Sequence, residues 1–235
     1  MPKDPLQTVL ELLDHAIRQH PNLAPHVSKI AQSIHGDIAD PDLLDWAARS
    51  YAAPAPYAVK KHVFLRNNFS DATWIETGTL YGDTSDFLSH HATFVHTTEP
   101  EPKLFQLAKE KFGQHKNIMV HNEISEVFLP RILPTLSGNV CLWLDGHYSA
   151  GETFAGPNDT PLREELEAIR KNISRFDNIA VLIDDIRYCG RHHIYGSYPS
   201  LSELVAFADS LGLHWYIEHD IFIAKSKPTQ QPLST

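Results

Sequence analysis

Apolar residues recur along the chain with two different spacings. In the first stretch they follow the three-and-four spacing of an amphipathic helix: Leu6, Val9, Leu10, Leu13 and Ile17. A second helix is predicted for about residues 23–34. A third is predicted from Asp40-Pro41, because proline is favoured at the first helical position. The proline-rich stretch 51–57 predicts a linker, so residues 1–56 form a predicted N-terminal helical extension.

From Thr73 onward the pattern alternates between short apolar strands and helical segments. Five strands are predicted at residues 73–76, 93–97, 117–121, 139–144 and 179–183, with helices between them. A last helix, 200–211, precedes strands 214–218 and 221–224, which only His219-Asp220 separates. Alternation indicates a parallel sheet, whereas a two-residue connection requires antiparallel strands. The predicted fold is α/β: a doubly wound Rossmann-like sheet over residues 57–226, mostly parallel with a C-terminal antiparallel hairpin, followed by a flexible tail, 227–235.

Composition and charge narrow the functional classes. The 235 residues are 42% hydrophobic and carry a formal net charge of −9, which argues against a broad nucleic-acid surface. No signal pattern and no membrane-spanning apolar run is found, so a cytoplasmic protein without membrane contact is expected. Cys141 and Cys189 are too few for a disulfide scaffold or a four-ligand zinc site. Cys141 is predicted to be a small core residue.

The first predicted strand ends in a glycine-containing turn, Glu76-Thr-Gly-Thr-Leu-Tyr-Gly82. Gly78 and Gly82 would let the backbone approach a ligand, and Asp83 or Thr84 would cap the next helix. Glu99, 21 positions after Gly78, ends the second strand and suits ribose hydroxyls. The segment lacks the Gly-Lys-Ser/Thr of a phosphate loop and the spacing of the dinucleotide fingerprint. It indicates a nucleoside ligand; the alternative is a plain strand–turn–helix connection.

Carboxylates follow the fourth and fifth strands. Asp145 begins the sequence Asp-Gly-His147, and Asp184 and Asp185 follow strand five. The three are predicted to converge at the edge of the sheet that carries the glycine turn, where Mg²⁺ or Ca²⁺ would relieve their repulsion. The alternatives are a capped turn, a pair with Arg187 or Arg191, or, for Asp145, an amino group of the ligand.

These segments together resemble class I S-adenosylmethionine-dependent methyltransferases, and within them bacterial small-molecule O-methyltransferases of the macrocin/sugar type. The resemblance covers about residues 57–224 and rests on the glycine turn, Glu99, and three further segments: Trp143-Leu-Asp-Gly-His-Tyr-Ser149, Asp159-Thr-Pro-Leu-x-Glu-Glu-Leu166 and Ile183-Asp-Asp-Ile-Arg187. It implies contacts between S-adenosylmethionine and Glu76, Gly78, Gly82 and Glu99, and we assign Thr79, Thr84 and Asp145 with them. Asn122, Glu123 and Ser125 would lie near the adenine, although the spacing around Ile124 departs from the usual Gly-Asp-Ser pattern. The resemblance also supports the metal ligands Asp145, Asp184 and Asp185.

The sequence therefore predicts metal-assisted O-methylation of a small hydroxylated, sugar-type acceptor. Asp145 and His147 are the two candidates for the base that takes the acceptor's proton. The long loop 148–157 is expected to cover the substrate, with Tyr148 and Arg187 contacting it, whereas Glu164 and Glu165 only initiate a helix. A homodimer through the N-terminal helices is expected. The alternatives are an NAD-dependent oxidoreductase and a non-catalytic binding module with the same fold.

Overall fold

The computed structural model describes residues 41–146, 160–191 and 198–227. The predicted helices 5–20 and 23–34 lie outside the described residues, as does the tail from residue 228. Contacts within the chain divide it into two compact units with their border between Ala58 and Val59. In the first unit, helix α1 (Pro41–Ala48) confirms the helix predicted at Pro41. No helix in the described part of the chain is both long enough and apolar enough to cross a membrane.

The described helices and strands follow the predicted order with one addition. The strands are β1 (Thr73–Thr77), β2 (Phe94–Thr98), β3 (Ile118–His121), β4 (Gly138–Leu144), β5 (Phe176–Ile183), β6 (His214–Glu218) and β7 (Ile221–Lys225). The helices after α1 are α2 (Tyr57–Asn67), α3 (Asp83–Ser89), α4 (Pro102–Phe112), α5 (Ser125–Ile132), α6 (Leu162–Asn172) and α7 (Leu201–Ser210). Helix α2 was not predicted, because the run of Lys60, Lys61 and His62 interrupts its apolar spacing.

The seven strands form one sheet in the order β3-β2-β1-β4-β5-β7-β6. Strands β1 to β5 pair in parallel, while β7 pairs antiparallel with both β5 and β6. The direction in which successive strands are added reverses at β1. Strands β2 and β3 lie on one side of it, and β4, β5 and the hairpin lie on the other. His219 and Asp220 form the two-residue turn, both with positive φ, as a tight hairpin requires. The predicted doubly wound sheet with its C-terminal hairpin is confirmed.

Alternation along the central strands sends side chains to two faces. On one face Leu142 and Leu144 join the main core with residues of α5, α6 and α7. On the other face Trp143 meets Phe64 of α2, with 4.7 Å between the ring centroids. Because side chains alternate with a period of two, Asp145 and Asp184 follow Trp143 and Leu182 toward the α2 face. Helix α2 therefore covers the face on which these carboxylates emerge.

The starts of three helices differ in how they are capped. Helix α3 begins at Asp83 after the N-cap Gly82, which has a left-handed backbone and gives no side-chain cap. The cap predicted at Asp83 or Thr84 is therefore wrong. Helix α6 begins at Leu162, and its N-cap residue, Pro161, provides no side-chain cap. Helix α7 is preceded by Ser200, which forms a reciprocal capping box with Glu203.

Candidate functional site

Four parallel strands end at one edge of the sheet and are tied together there by backbone hydrogen bonds. Gly78 N donates to Thr98 O at 3.1 Å, which joins the end of β1 to the end of β2. Asp145 N donates to Thr77 O at 3.2 Å, and Asp184 N donates to Leu144 O at 3.1 Å. The glycine turn and the ends of β2, β4 and β5 are thus adjacent, as predicted. In open α/β sheets this edge, beside the reversal of strand order, is where ligands bind.

The glycine turn is packed against the protein at both glycines. Gly78 has φ +94°, and a Cβ built there would lie 2.8 Å from Asp145 O. A Cβ on Gly82, at φ +76°, would lie 2.6 Å from the Phe112 ring. Packing within the protein therefore requires both glycines, whether or not a ligand approaches the turn. Between them, Leu80 and Tyr81 are 42% and 56% exposed, so the tip of the turn is open.

Glu76 lies beneath the glycine turn and is only 1% exposed. Thr97 Oγ1 donates to Glu76 Oε2 at 2.7 Å, and Ser85 Oγ of α3 donates to the same oxygen. Burial raises the pKa of Glu76 to about 8; the hydroxyl donors oppose this shift, and the charges of Asp145 and Glu99 add to it. Glu76 therefore joins β1, β2 and α3 under the turn as a carboxyl group that is protonated at neutral pH.

Glu99 is held in place by the turn it faces. Its Oε2 accepts a hydrogen bond from Leu80 N at 2.9 Å, and its Oε1 accepts one from Glu101 N at 3.0 Å. Burial raises the pKa of Glu99, against the effect of these two donors. A carboxylate has about four lone-pair positions, so both oxygens retain acceptor capacity for a pair of hydroxyl groups. The two backbone donors thus fix the orientation of the Glu99 carboxylate next to the tip of the turn.

The residues after β3 are tied to the end of β2. Asn122 Nδ2 donates to Glu99 O at 2.8 Å, and Thr98 Oγ1 donates to Glu123 O at 2.6 Å. The Glu123 carboxylate pairs with Arg131, with 2.8 Å between Oε1 and Nη2. Ser125 is the buried first residue of α5. The three residues predicted to lie near the adenine therefore follow β3, the neighbour of the strand that precedes Glu99. The Glu123 side chain forms an ion pair with Arg131.

Asp184 forms a buried ion pair with Lys60 of α2. Lys60 Nζ donates to Asp184 Oδ2, and the exposed fractions of the two side chains are 18% and 1%. Burial lowers the pKa of Lys60, but the carboxylates of Asp184, Asp145 and Asp185 outweigh burial, so the pKa is raised and the ammonium stays charged. Burial and the charge of Asp145 raise the pKa of Asp184, against the effect of Lys60. Lys60 was not predicted as a site residue, because it lies 124 residues from Asp184 and no local pattern links the two.

Asp185 takes part in a different ion pair. Its backbone is left-handed, at φ 58°, and its Oδ1 lies 2.5 Å from Arg187 Nη1. The same guanidinium donates to Asp220 Oδ2 in the β6–β7 turn, and Arg187 N donates to Asp220 Oδ1 at 2.8 Å. This confirms the alternative in which an aspartate pairs with Arg187. Arg187, predicted to contact substrate, joins the end of β5 to the hairpin turn.

The predicted metal-ligand set is therefore not formed. Within residues 41–146, 160–191 and 198–227, no three His, Cys, Asp or Glu side chains group as a metal site. The physical reason is that Asp184 and Asp185 already have cationic partners, Lys60 of α2 and Arg187. A divalent ion takes at least six oxygen ligands and would need to displace the ammonium. Metal binding by Asp145, Asp184 and Asp185 as joint ligands is therefore not supported by the described residues.

Glu165 was predicted only to initiate a helix, and the structure buries it under the site. It is 2% exposed, and its Oε1 has no hydrogen-bond partner among the described residues. A Cβ built on Gly146 would lie 3.4 Å from Glu165 Oε1 and 3.2 Å from Thr77 Oγ1. Burial raises the pKa of Glu165 to about 7, against donors from Ser125 and Thr77. Glu165 is thus a second buried carboxyl group behind the ends of β1 and β4.

Several predicted site residues lie outside the described residues. These are the candidate base His147, the substrate-contacting Tyr148 and the cover loop 148–157. The other candidate base, Asp145, is described and partly exposed at the end of β4. Cys141, predicted to be a core residue, is fully buried, and burial raises the pKa of its thiol to about 12.

Comparison with known proteins yields matches only among solved structures. No family model matches the chain, and neither does any curated protein. The N-methyltransferase NodS from Bradyrhizobium japonicum WM9, in complex with S-adenosyl-L-homocysteine, is 12% identical with a TM-score of 0.48, over 85% of this chain and 98% of that one. The 23S rRNA methyltransferase ErmE is 15% identical with a TM-score of 0.48, over 76% of this chain and 70% of that one. The precorrin 8w decarboxylase of Methanobacterium thermoautotrophicum is 12% identical with a TM-score of 0.43, over 74% of this chain and 91% of that one. At these identities and scores the similarity assigns neither a reaction nor a substrate to this chain.

Proposed function

We propose that this chain binds S-adenosylmethionine and transfers its methyl group to a hydroxyl of a small acceptor. The observation that carries the proposal is the acidic edge of the sheet. The negative charge comes from the fixed Glu99 carboxylate and the partly exposed Asp145, which lie beside one glycine turn. The nearby Lys111 ammonium is already paired with Asp83, at 2.9 Å between Nζ and Oδ1. Such an edge favours a nucleoside that carries positive charge and no phosphate.

The charge of the edge also bears on the oxidoreductase alternative. A dinucleotide presents a pyrophosphate to the first glycine turn, where it needs backbone N–H groups and a helix N-terminus free of competing anions. Here Asp83 and Asp86 occupy the first turn of α3, and Leu80 N is already donated to Glu99. These groups oppose a pyrophosphate, whereas they suit a sulfonium compound. S-Adenosylmethionine fits the described residues better than NAD does.

The roles of the residues follow from their positions. S-Adenosylmethionine, when bound, supplies an electrophilic methyl group on a sulfonium. Glu99 would hold the ribose hydroxyls, and the turn around Gly78 would lie against the methionine part of the ligand. Asp145, partly exposed at the end of β4, has two candidate roles. It would accept a hydrogen bond from the ligand's amino group, or it would take the proton that the acceptor hydroxyl loses as its oxygen–carbon bond forms. No step requires a divalent ion.

Binding distinguishes the candidate functions directly. Calorimetry is expected to show binding of S-adenosylmethionine and of S-adenosylhomocysteine, and none of NAD⁺. Binding of NAD⁺ alone would establish the oxidoreductase alternative instead. If S-adenosylmethionine binds, formation of S-adenosylhomocysteine with a panel of hydroxylated metabolites tests transfer. Failure of every acceptor would favour the non-catalytic module.

Replacing Glu99 tests the ribose site. In Glu99→Gln the amide can accept only on its oxygen and loses the charge that strengthens hydrogen bonds to hydroxyls, each worth about 1.5–3 kcal/mol. We expect the affinity for S-adenosylmethionine to fall by about tenfold to a hundredfold. Glu110→Gln, an exposed position on α4 with the same change of charge, is the control and is expected to keep wild-type affinity. Equal affinities for both variants would remove Glu99 from the site.

A further inference from the structure

An ammonium group lies among the carboxylates on the α2 face of the sheet edge. The Lys60 ammonium donates to Asp184, and its Nζ lies 5.6 Å from the centroid of the Trp143 ring. The aromatic ring of Trp143 and the aliphatic part of Lys60 shield the pair, and the Asp184 side chain is 1% exposed. A buried carboxylate needs such a partner, because an uncompensated charge in a protein interior is costly.

The pair is incomplete on both sides. Asp184 Oδ1 is buried and has no hydrogen-bond partner among the described residues. An ammonium carries three N–H donors, and the only hydrogen bond of Lys60 within the described residues goes to Asp184. The Lys60 side chain keeps 18% of its surface exposed. The remaining N–H donors of Lys60, on a side chain that is partly exposed at the end of β5, suit a ligand oxygen that accepts a hydrogen bond, such as that of a hydroxyl.

We infer that the Lys60 ammonium is the resident cation of the acceptor side of this site and neutralises the carboxylates in place of the predicted Mg²⁺ or Ca²⁺. The inference rests on the proposed function for the identity of the acceptor, but the ion pair can be tested without cofactor. Lys60 donates to the acceptor oxygen and stabilises the negative charge that develops on it. The proton leaves toward Asp145, and the oxygen receives the methyl group. The site thus takes a hydroxylated acceptor without a divalent ion.

The first experiment measures thermal stability with and without divalent ions. Wild-type melting temperature is expected to be the same in millimolar MgCl₂ or CaCl₂ as in NaCl of matched ionic strength. Lys60→Met keeps the side-chain length but leaves Asp184 without its partner, so Tm is expected to fall by roughly 10 °C. In this variant the divalent ions are expected to raise Tm by about 2–4 °C, because they supply the missing charge. Lys61→Met, the neighbouring lysine of α2, is expected to show no divalent response.

The second experiment keeps the test informative if Lys60→Met does not fold. Lys60→Met with Asp184→Asn removes both charges, which costs less than removing one. This double variant is expected to fold, to lack any divalent response, and to bind S-adenosylmethionine within about threefold of wild type. Asp184→Asn alone removes only the carboxylate and shows whether a divalent-ion effect depends on it. A wild-type Tm that rises with Mg²⁺ or Ca²⁺, and no longer does so in Asp184→Asn, would show that a metal is the cation and overturn the inference.

Further outcomes separate the inference from the proposed function. A Lys60→Met variant with unchanged Tm and no divalent response would also refute it. If wild type fails to bind S-adenosylmethionine, the proposed function fails while the divalent-ion result still decides what neutralises Asp184. With an identified acceptor, the pH profile of transfer by the double variant is expected to move to higher pH, since the acceptor oxygen lacks the ammonium. A purely structural role for Lys60 would leave that profile in place.

Discussion

Gly78→Ala is expected to weaken S-adenosylmethionine binding by about a hundredfold, equivalent to about 2.7 kcal/mol. The new methyl group would lie 2.8 Å from Asp145 O, and both partners are backbone, so neither can rotate away. Either the turn or the end of β4 must shift, and either movement disturbs the contacts of Leu80 N with Glu99 and of Asp145 N with Thr77. The left-handed φ adds about 1–2 kcal/mol of strain. Calorimetry and chemical denaturation measure the two effects separately.

Gly138→Ala is the matched control for this substitution. Gly138, at the opposite end of β4, also has a positive φ, of +77°, but a Cβ there meets nothing within 4 Å. The control is therefore expected to lose only the stability that a left-handed alanine costs, about 1–2 kcal/mol, and to bind S-adenosylmethionine as wild type does. If the two variants bind equally well, the close contact between the turn and Asp145 does not shape the ligand site.

Glu76→Gln is expected to make the protein more stable above neutral pH and to flatten its pH dependence. The pKa of Glu76 is about 8 in the folded chain, against 4.5 for the free side chain. Between these values the folded protein keeps a proton that the unfolded chain releases, so the free energy of unfolding falls as pH rises, by at most about 1.4 kcal/mol per pH unit. Below pH 4.5 the contribution is fully present, and above pH 8 it is lost.

Glutamine is a neutral replacement for the protonated carboxyl group. Its amide oxygen can accept the bonds from Ser85 and Thr97, and its N–H groups replace the acid proton. Denaturation curves at several pH values between 5 and 8.5 compare the variant with wild type. The gap between them should widen toward high pH, whereas Glu110→Gln, which changes an exposed carboxylate, should leave the slope unchanged. Parallel pH profiles for Glu76→Gln and wild type would show that Glu76 is ionised in the folded protein.

Local pattern was sufficient for most of the fold. The strand–helix alternation after Thr73 and the two-residue turn at His219-Asp220 predicted a parallel sheet with an antiparallel hairpin, which the structure confirms. These features depend on neighbouring residues, because periodicity and turn geometry act over a few positions. Helix α2 was not predicted for the same reason, because charged residues interrupt its apolar spacing. One of them, Lys60, pairs with Asp184 at the end of a distant strand.

The candidate site was likewise predicted in part from the sequence. The sequence by itself determined that the glycine turn, Glu99, Asp145 and Asp184 end neighbouring strands, because parallel strands of one sheet finish at the same edge. It did not determine how their charges are balanced. Only the tertiary structure decided that Asp184 pairs with Lys60, that Asp185 turns to Arg187, and that Glu76 and Glu165 are buried. Such pairings join residues far apart in the chain, and burial depends on which helix covers which face, so no local pattern specifies them.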